Sequence, residues 1–423
     1  MKKMLKLSRL LNGQCLQQSP IRKIMEMADR KNLVKLGLRP EEIISFAGGW
    51  ANHKAPEELR KEYLNIAKDK DFFHKIGGYS PSEGDFELRM TLARMEQELY
   101  GVNNLSTDNI IVGQSSTQLL FGLLLTLLNP QDKILLFDPT YANYFEQIHV
   151  CQRKERIITL KVFNQDSWRF MANEAKILSS LKRILKKERP KAILFSSPDN
   201  PTGQIFSDRF VEKMLRLALH FETFVLIDNS YRDQYYTKKR PRQFSFSPED
   251  YNNLITIHSN SKWCRGLGRR MGWLKANREV VNALKKIQQT TILCPDTMHQ
   301  VAMTNYIKRG LKNGALQRYL KENRKRYRRA AEFTSQCIKK YLGMRYLKPQ
   351  GGLYTVVDVG KDSDTFVQEV LKNTGVVFVP GSGFGQTLQK GIRVSFGPLV
   401  DDLAKIKEGF LRVRKFLAEA KLG

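Results

Sequence analysis

Residues 192–236 read AILFSSPDNPTGQIFSDRFVEKMLRLALHFETFVLIDNSYRDQYY, and their pattern sets the architecture. The apolar run AILFS (192–196) gives way to a turn rich in Ser, Pro, Asn and Gly. SDRFVEKMLRLALHF then spaces its apolar residues as a helix does, behind a Ser suited to capping it. FVLID (224–228) follows as a second apolar run whose last residue is acidic. A strand with no polar alternation is buried on both faces, which is how parallel sheets covered by helices are built.

The same character recurs in NIIV (109–112), KILLF (133–137) and LITIH (254–258), with the helical stretch STQLLFGLLLTLL between the first two. Strand–helix alternation predicts an α/β fold around a mainly parallel sheet. After about residue 310 the pattern changes to a long helix, then GLYTVVDV, VVFV and IRVSF as strands, then a last helix from about residue 400. This reads as a smaller α+β domain, completed by the N-terminal residues. The expected division is a large domain over 45–310 and a small one from 1–44 plus 311–423. No low-complexity linker separates them, so extensive contact is expected.

Composition narrows the classes. The chain has 423 residues, 41% of them hydrophobic, and no run long and apolar enough for a membrane span. The start MKKMLKLSRLLNGQCLQQ is basic but lacks the apolar centre and cleavage site of a secretory signal. Cys15, Cys151, Cys264, Cys294 and Cys337 are scattered without CxxC pairing, and no HExxH occurs. Free thiols in a reducing cytoplasm and no metal site are therefore expected. The net charge of +29 thickens in RYLKENRKRYRRAAEF (318–333), a long exposed helix with Tyr319, Leu320, Tyr327 and Phe333 available for packing. A solvated basic face explains it, with a polyanion-binding surface as the alternative. No nucleic-acid motif accompanies it.

Ligands of α/β sheets bind at the carboxyl ends of the strands. GQSSTQ (113–118) opens a helix there and reads either as a phosphate cradle or as an ordinary N-cap by Ser115 or Ser116. Asn200 sits between prolines in a rigid turn. Asp228 ends a wholly apolar strand, where a lone carboxylate needs a cationic partner, and Tyr231 follows it. In HSNSKWCRGLGRRMGW (258–273), Lys262 lies in a turn just after an apolar strand. An acid, an amide, a phenol, a phosphate cradle and a turn lysine together suit pyridoxal 5′-phosphate. The amine can join its aldehyde, and the acid can keep its ring nitrogen protonated.

With these residues assembled, the sequence resembles the fold-type-I pyridoxal-phosphate enzymes, specifically the class I and II aminotransferases, from about residue 43 to near the C-terminus. The resemblance rests on Ser259, Lys262, Gly268, Arg270 and Gly272 at the family spacing, on NPTG (200–203), and on Asp228 with Tyr231. YSPSEG (79–84) with Leu88-Arg89, DPTY ending at Tyr141, PQGGLY (349–354), VPGSGFG (379–385) and IRVSF (392–396) complete it in order.

The resemblance implies Lys262 as the aldimine-forming lysine and proton carrier, Asp228 on the pyridinium, and Tyr231 and Asn200 on the phenolate oxygen. It implies Tyr141 stacked on the ring, and Ser259, Arg270, Gln114, Ser115 and Ser116 around the phosphate. Tyr79 would reach the phosphate of a neighbouring subunit, which implies a homodimer with shared sites. Arg393 would bind the substrate α-carboxylate, with Gly48 and Gly49 closing over the substrate.

The implied activity moves an amino group from an L-amino acid to a 2-oxo acid. An eliminating lyase or synthase on the same scaffold is the alternative, and a non-enzymatic polyanion-binding protein the more distant one. Several residues depart from the family pattern: Asn229 where Glu is common, the bulky Trp263 and Cys264, and the added Arg265 and Arg269. Asp296, in TTILCPDTMHQ (290–300), either caps a helix or faces the pocket and favours cationic side chains.

Overall fold

The computed structural model describes residues 20–151 and 156–419. The N-terminal basic stretch and Cys15 lie outside the described residues. Seven strands form the main sheet: β1 (Ile110–Gly113), β2 (Ile134–Asp138), β3 (Ile157–Lys161), β4 (Ala192–Ser196), β5 (Phe224–Asp228), β6 (Leu254–Ser259) and β7 (Gly272–Lys275). Their order is β1-β7-β6-β5-β4-β2-β3. Every neighbouring pair is parallel except those of β7, which runs antiparallel to both β1 and β6.

The all-apolar strands are buried on both faces, as their composition requires. Leu136, Leu194, Leu226, Ile255 and Ile257 join one core with Leu119 and Leu123 of the helix Ser116–Leu127. Leu135, Phe137, Ile193, Phe195, Val225 and Ile227 join another with Phe210 and Met214 of the helix Asp208–His220. Each such side chain contributes about 1.5–3 kcal/mol on full burial.

Two strands escape the sequence reading. β3 stands at the sheet edge and is only partly buried, so its IITLK lacks the apolar signature. β7 is short and reverses direction directly after the lysine turn. Its pairing of Gly272 with Ser259 makes residues 260–271 a loop held at both ends.

The second layer of structure is an antiparallel sheet of β8 (Tyr354–Asp358), β9 (Val379–Pro380) and β10 (Gly391–Ser395), in the order β8-β10-β9. Ile44–Ser45 pairs in parallel with Val376–Val377 beside it. Ile24, Ile44, Phe46, Val356, Phe378 and Phe410 share its core.

The helix Ala315–Cys337 spans both regions. Leu316 and Leu320 pack with Leu88, Trp263 and Tyr306, whereas Tyr327 and Ala330 belong to the core around β8. Its basic residues therefore occupy one face of a half-buried helix. Tyr319 and Phe333 are partly buried at the margin.

Candidate active site

Asp228 closes β5 at the carboxyl edge of the sheet. Its carboxylate accepts from Tyr144 Oη at 3.1 Å and from the Ser230 amide at 2.9 Å. Burial raises its pKa above the ordinary carboxylate value, because these neutral donors and the more distant Lys262 charge offset only part of the desolvation. Lys262 faces the same cleft from the turn after β6. Its Nζ donates to Gly49 O at 2.6 Å and stands 5.7 Å from the centre of the Tyr231 ring. Burial, reinforced by the charges of Arg393 and Arg270 and opposed by Asp228, lowers its pKa to about 8. An amine so tuned is a usable nucleophile and proton carrier near neutral pH.

The turn holding Asn200 is fixed against β8. Gly203 has φ +65°, and a Cβ there would meet Tyr354 O at 2.2 Å, so only glycine fits. The Asn200 amide donates to Ser196 Oγ at 3.1 Å, and its Oδ1 accepts from Arg393 Nη1 at 2.9 Å. Arg393 is buried on β10. Its Nη2 donates to Ala47 O at 2.8 Å, and its guanidinium lies between the rings of Tyr354 (4.4 Å) and Phe384 (4.9 Å). It pairs with no carboxylate among the described residues, and its Nε is buried without a hydrogen-bond partner. A buried cation left in this state is poised for an anion.

Ser116, Tyr141 and Asn200 line one cleft with Asp228, Tyr231, Ser259, Lys262 and Arg270. Ser259 Oγ donates to Ser261 Oγ at 2.8 Å and accepts from the Ser261 amide at 3.1 Å. Arg270 takes φ +48° and donates to Leu267 O at 2.7 Å.

Gln114 and Ser115 stand at the start of the helix Ser116–Leu127. The Gln114 amide donates to Gln118 Oε1 at 2.9 Å, and Ser115 Oγ caps the helix by accepting from the Gln118 amide at 3.4 Å. The helix start thus engages the Gln114 backbone N–H as a donor and Ser115 Oγ as an acceptor, leaving the Ser115 hydroxyl proton and Ser116 to donate.

Gly48 and Gly49 form a strap across the cleft: Gly48 O accepts from Ser395 Oγ at 2.6 Å, and Gly49 O from Lys262. Tyr79 lies outside the cleft of its own chain, 84% exposed.

Several contributors were not singled out from sequence. Tyr144 holds Asp228 from one helical turn beyond Tyr141, and Tyr354 bonds the Tyr231 hydroxyl at 2.7 Å. Ser196, Thr117, Ser230 and Ser261 also line the cleft.

The departures turn outward or inward rather than into the cleft. Arg265 donates to Ala51 O at 2.7 Å and to the Asn52 side chain, whereas Arg269 lies 5.3 Å from the Tyr63 ring centre. Trp263 and Cys264 are buried in the core beneath. Asp296 caps the helix Thr297–Lys312 by accepting from the His299 amide at 2.5 Å, so of its two readings the cap describes it.

An acid without a direct cationic partner, an amine of lowered pKa and a serine–arginine rim can hold an aromatic ring bearing a protonatable nitrogen, a carbonyl and a phosphate. The fold and this cleft define the class of fold-type-I transferases. The sequence profile of the family described as aminotransferase class I and II matches residues 43–406, and the chain belongs to that family. It is an enzyme of the aminotransferase class, and the non-enzymatic reading is set aside.

The chain is 27% identical to the aspartate aminotransferase of Thermotoga maritima over 406 residues, covering 95% of this chain and 98% of that one. It is also 27% identical to aromatic-amino-acid aminotransferase 2 of Thermococcus litoralis over 410 residues, covering 96% and 97%. A solved aspartate aminotransferase of Thermus thermophilus with maleate superposes with a TM-score of 0.81 at 23% identity, covering 97% of this chain and 100% of that one. That likeness demonstrates the shared fold.

Proposed function

We propose that this cleft binds pyridoxal 5′-phosphate on Lys262 and moves the amino group of an L-amino acid to a 2-oxo acid such as 2-oxoglutarate. One observation carries the reading: a half-buried carboxylate of raised pKa and a half-buried amine of lowered pKa line one cleft. Bound there, the cofactor would supply an electron-withdrawing ring conjugated to the substrate's nitrogen.

The chain's own residues do the rest. Asp228 holds a protonated ring nitrogen, and the Tyr144 and Ser230 bonds keep its carboxylate aimed. Tyr231 and Asn200 serve the ring's phenolic oxygen, and Tyr141 covers its face. Ser259 and Arg270, with Ser115 and Ser116, hold the phosphate. Arg393 grips the α-carboxylate through a fork that lysine cannot match. Lys262 would take up the proton released from the substrate's Cα, while the Gly48–Gly49 strap limits water.

The test is a screen of amino donors against 2-oxoglutarate with cofactor-loaded protein. Equal amounts of new 2-oxo acid and glutamate are expected. Ammonia released without an acceptor would instead establish the eliminating alternative, which uses the same lysine and arginine.

We further infer a homodimer with shared sites. Tyr79 is exposed on a loop tied to the start of the helix Thr297–Lys312, since Thr297 Oγ1 donates to Ile76 O. Phe73 and Phe86, on either side of Tyr79 in sequence, and Leu293, ahead of that helix, are exposed apolar side chains of the kind interfaces cover. Tyr79→Phe is expected to weaken cofactor retention by about 1.5–3 kcal/mol, the range for a hydrogen bond to a charged group. Mixing it with inactive Lys262→Ala subunits should regain some activity. A fully active monomer at every dilution contradicts the sharing.

The division at 45 and 310 and a cytoplasmic location belong to the same proposal. The free thiols of Cys264, Cys294 and Cys337 support the location.

A further inference from the structure

Behind the cleft lies a second charged cluster that no part of the proposed chemistry uses. The helix Phe86–Met95 widens into a π-helical turn, Glu96–Tyr100, closed by Gly101 at φ 71°. Single turns of this kind concentrate at functional sites. Here it aims Glu96 and Tyr100 into the protein.

Glu96 is fully buried, and its carboxylate accepts from Arg232 at 2.7 and 2.5 Å, from Lys275 Nζ at 2.8 Å and from Trp273 Nε1 at 3.3 Å. The Arg232 guanidinium lies 3.5 Å from the Tyr100 ring centre, and the Tyr100 hydroxyl donates to Asp233 at 2.5 Å. Two cations thus face two carboxyl groups. Burial pushes Glu96 up, but Arg232 and Lys275 outweigh it and hold the carboxyl well below its usual range.

The cluster's placement gives it meaning. Arg232 and Asp233 follow Tyr231 directly in the loop after β5. Trp273 and Lys275 lie on β7, whose partner β6 leads straight into the Lys262 turn. Gln234, in the same loop, donates to Lys262 O at 3.3 Å. One carboxylate therefore ties the loop that carries Tyr231 to the hairpin that carries Lys262. Buried ion networks are weak devices for stability, since apolar side chains of similar volume often do as well or better. Their forked bonds are directional, however, and fix distances that apolar packing does not.

We propose that Glu96 is a positioning residue, whose carboxylate sets the relation of the Asp228–Tyr231 loop to the Lys262 amine. This rests on the assignment of Lys262 as the cofactor lysine. The test compares wild type with Glu96→Asp, which keeps the charge but withdraws the carboxylate by one methylene, and with the apolar triple variant Glu96→Met, Arg232→Met, Lys275→Met. All are studied at full length, loaded with pyridoxal phosphate. Melting temperature, the pH midpoint of the visible absorbance band, and kcat and KM are read separately.

Both variants should shift the pH midpoint and lower kcat, by about a hundredfold if the groups move by 1 Å, with KM little changed. The triple variant should melt no lower than wild type. A wild-type midpoint and kcat in either folded variant overturns the proposal, whatever its melting temperature. If the triple variant does not fold, Glu96→Asp decides. Borohydride trapping of wild type on a lysine other than Lys262 overturns the underlying assignment and the proposal with it, an outcome separable from unchanged variants.

Discussion

Asp228 and Glu96 are both carboxylates withdrawn from solvent in the large α/β region, Glu96 fully and Asp228 in part, and they meet opposite surroundings. Glu96 is enclosed by Arg232, Lys275 and an indole N–H, so burial is outweighed and the group stays ionised. Asp228 receives only neutral donors, from Tyr144 and Ser230, and burial raises its pKa. A protein able to surround one acid with two cations leaves the other without a direct one, at the strand end where a cleft opens. The difference separates a finished structural contact from a half-built one. A site awaiting a cationic partner is recognisable by what its acid lacks, and Arg393, buried without a carboxylate among the described residues, is its counterpart for an anion.

The contrast is sharpest under amide substitution. Glu96→Gln leaves Arg232 and Lys275 uncompensated and is expected to cost about 3–5 kcal/mol of folding stability, measured by urea unfolding. Asp228→Asn removes a charge that burial disfavours, so the cofactor-free protein should be no less stable. Its kcat/KM should nonetheless fall by about 10²–10³, the scale for losing one directed electrostatic contact at a reacting centre. Equal stability losses from the two substitutions would erase the distinction.

Proton linkage gives the smallest effect. Lys262 titrates at about 8 in the folded chain against 10.5 ordinarily. Between those values the unfolded chain holds a proton that the folded chain has released, so this group makes stability rise as pH rises through that window. Below about pH 8 its cost is present in full. Lys262→Met should remove this part of the rise, seen as a smaller difference between urea midpoints at about pH 8 and about pH 10 in cofactor-free protein. An unchanged difference would show that the amine is not buried as described.

The two acids were also unequally legible in the sequence. Asp228 ends an unbroken apolar run, and a carboxylate there cannot be a surface charge. Lys262 was marked by its spacing from Ser259, Arg270 and Gly272. Glu96 gave no such mark. In MEQELYGV it opens a continuous polar run, as on any solvent-facing helix, and it is buried at the start of a π-helical turn that no residue pattern announces. Lys275 ends a strand too short to be noticed, and Arg232 looks like a solvated neighbour of Tyr231. Tyr144 and Tyr354 were missed for a related reason: each acts on a catalytic candidate through a contact distant in sequence. Periodicity reports which face is apolar, so sheet, layers and strand-end loops were readable. Polar contacts between distant segments follow from how the layers pack.

The central claim is that Lys262 carries the cofactor. Reduction of the pyridoxal-phosphate-loaded protein with borohydride, followed by peptide mapping, tests it most directly. The account predicts one stoichiometric label per chain, on Lys262, in both wild type and Asp228→Asn. A label on any other lysine, or none in a protein that binds the cofactor, would contradict it.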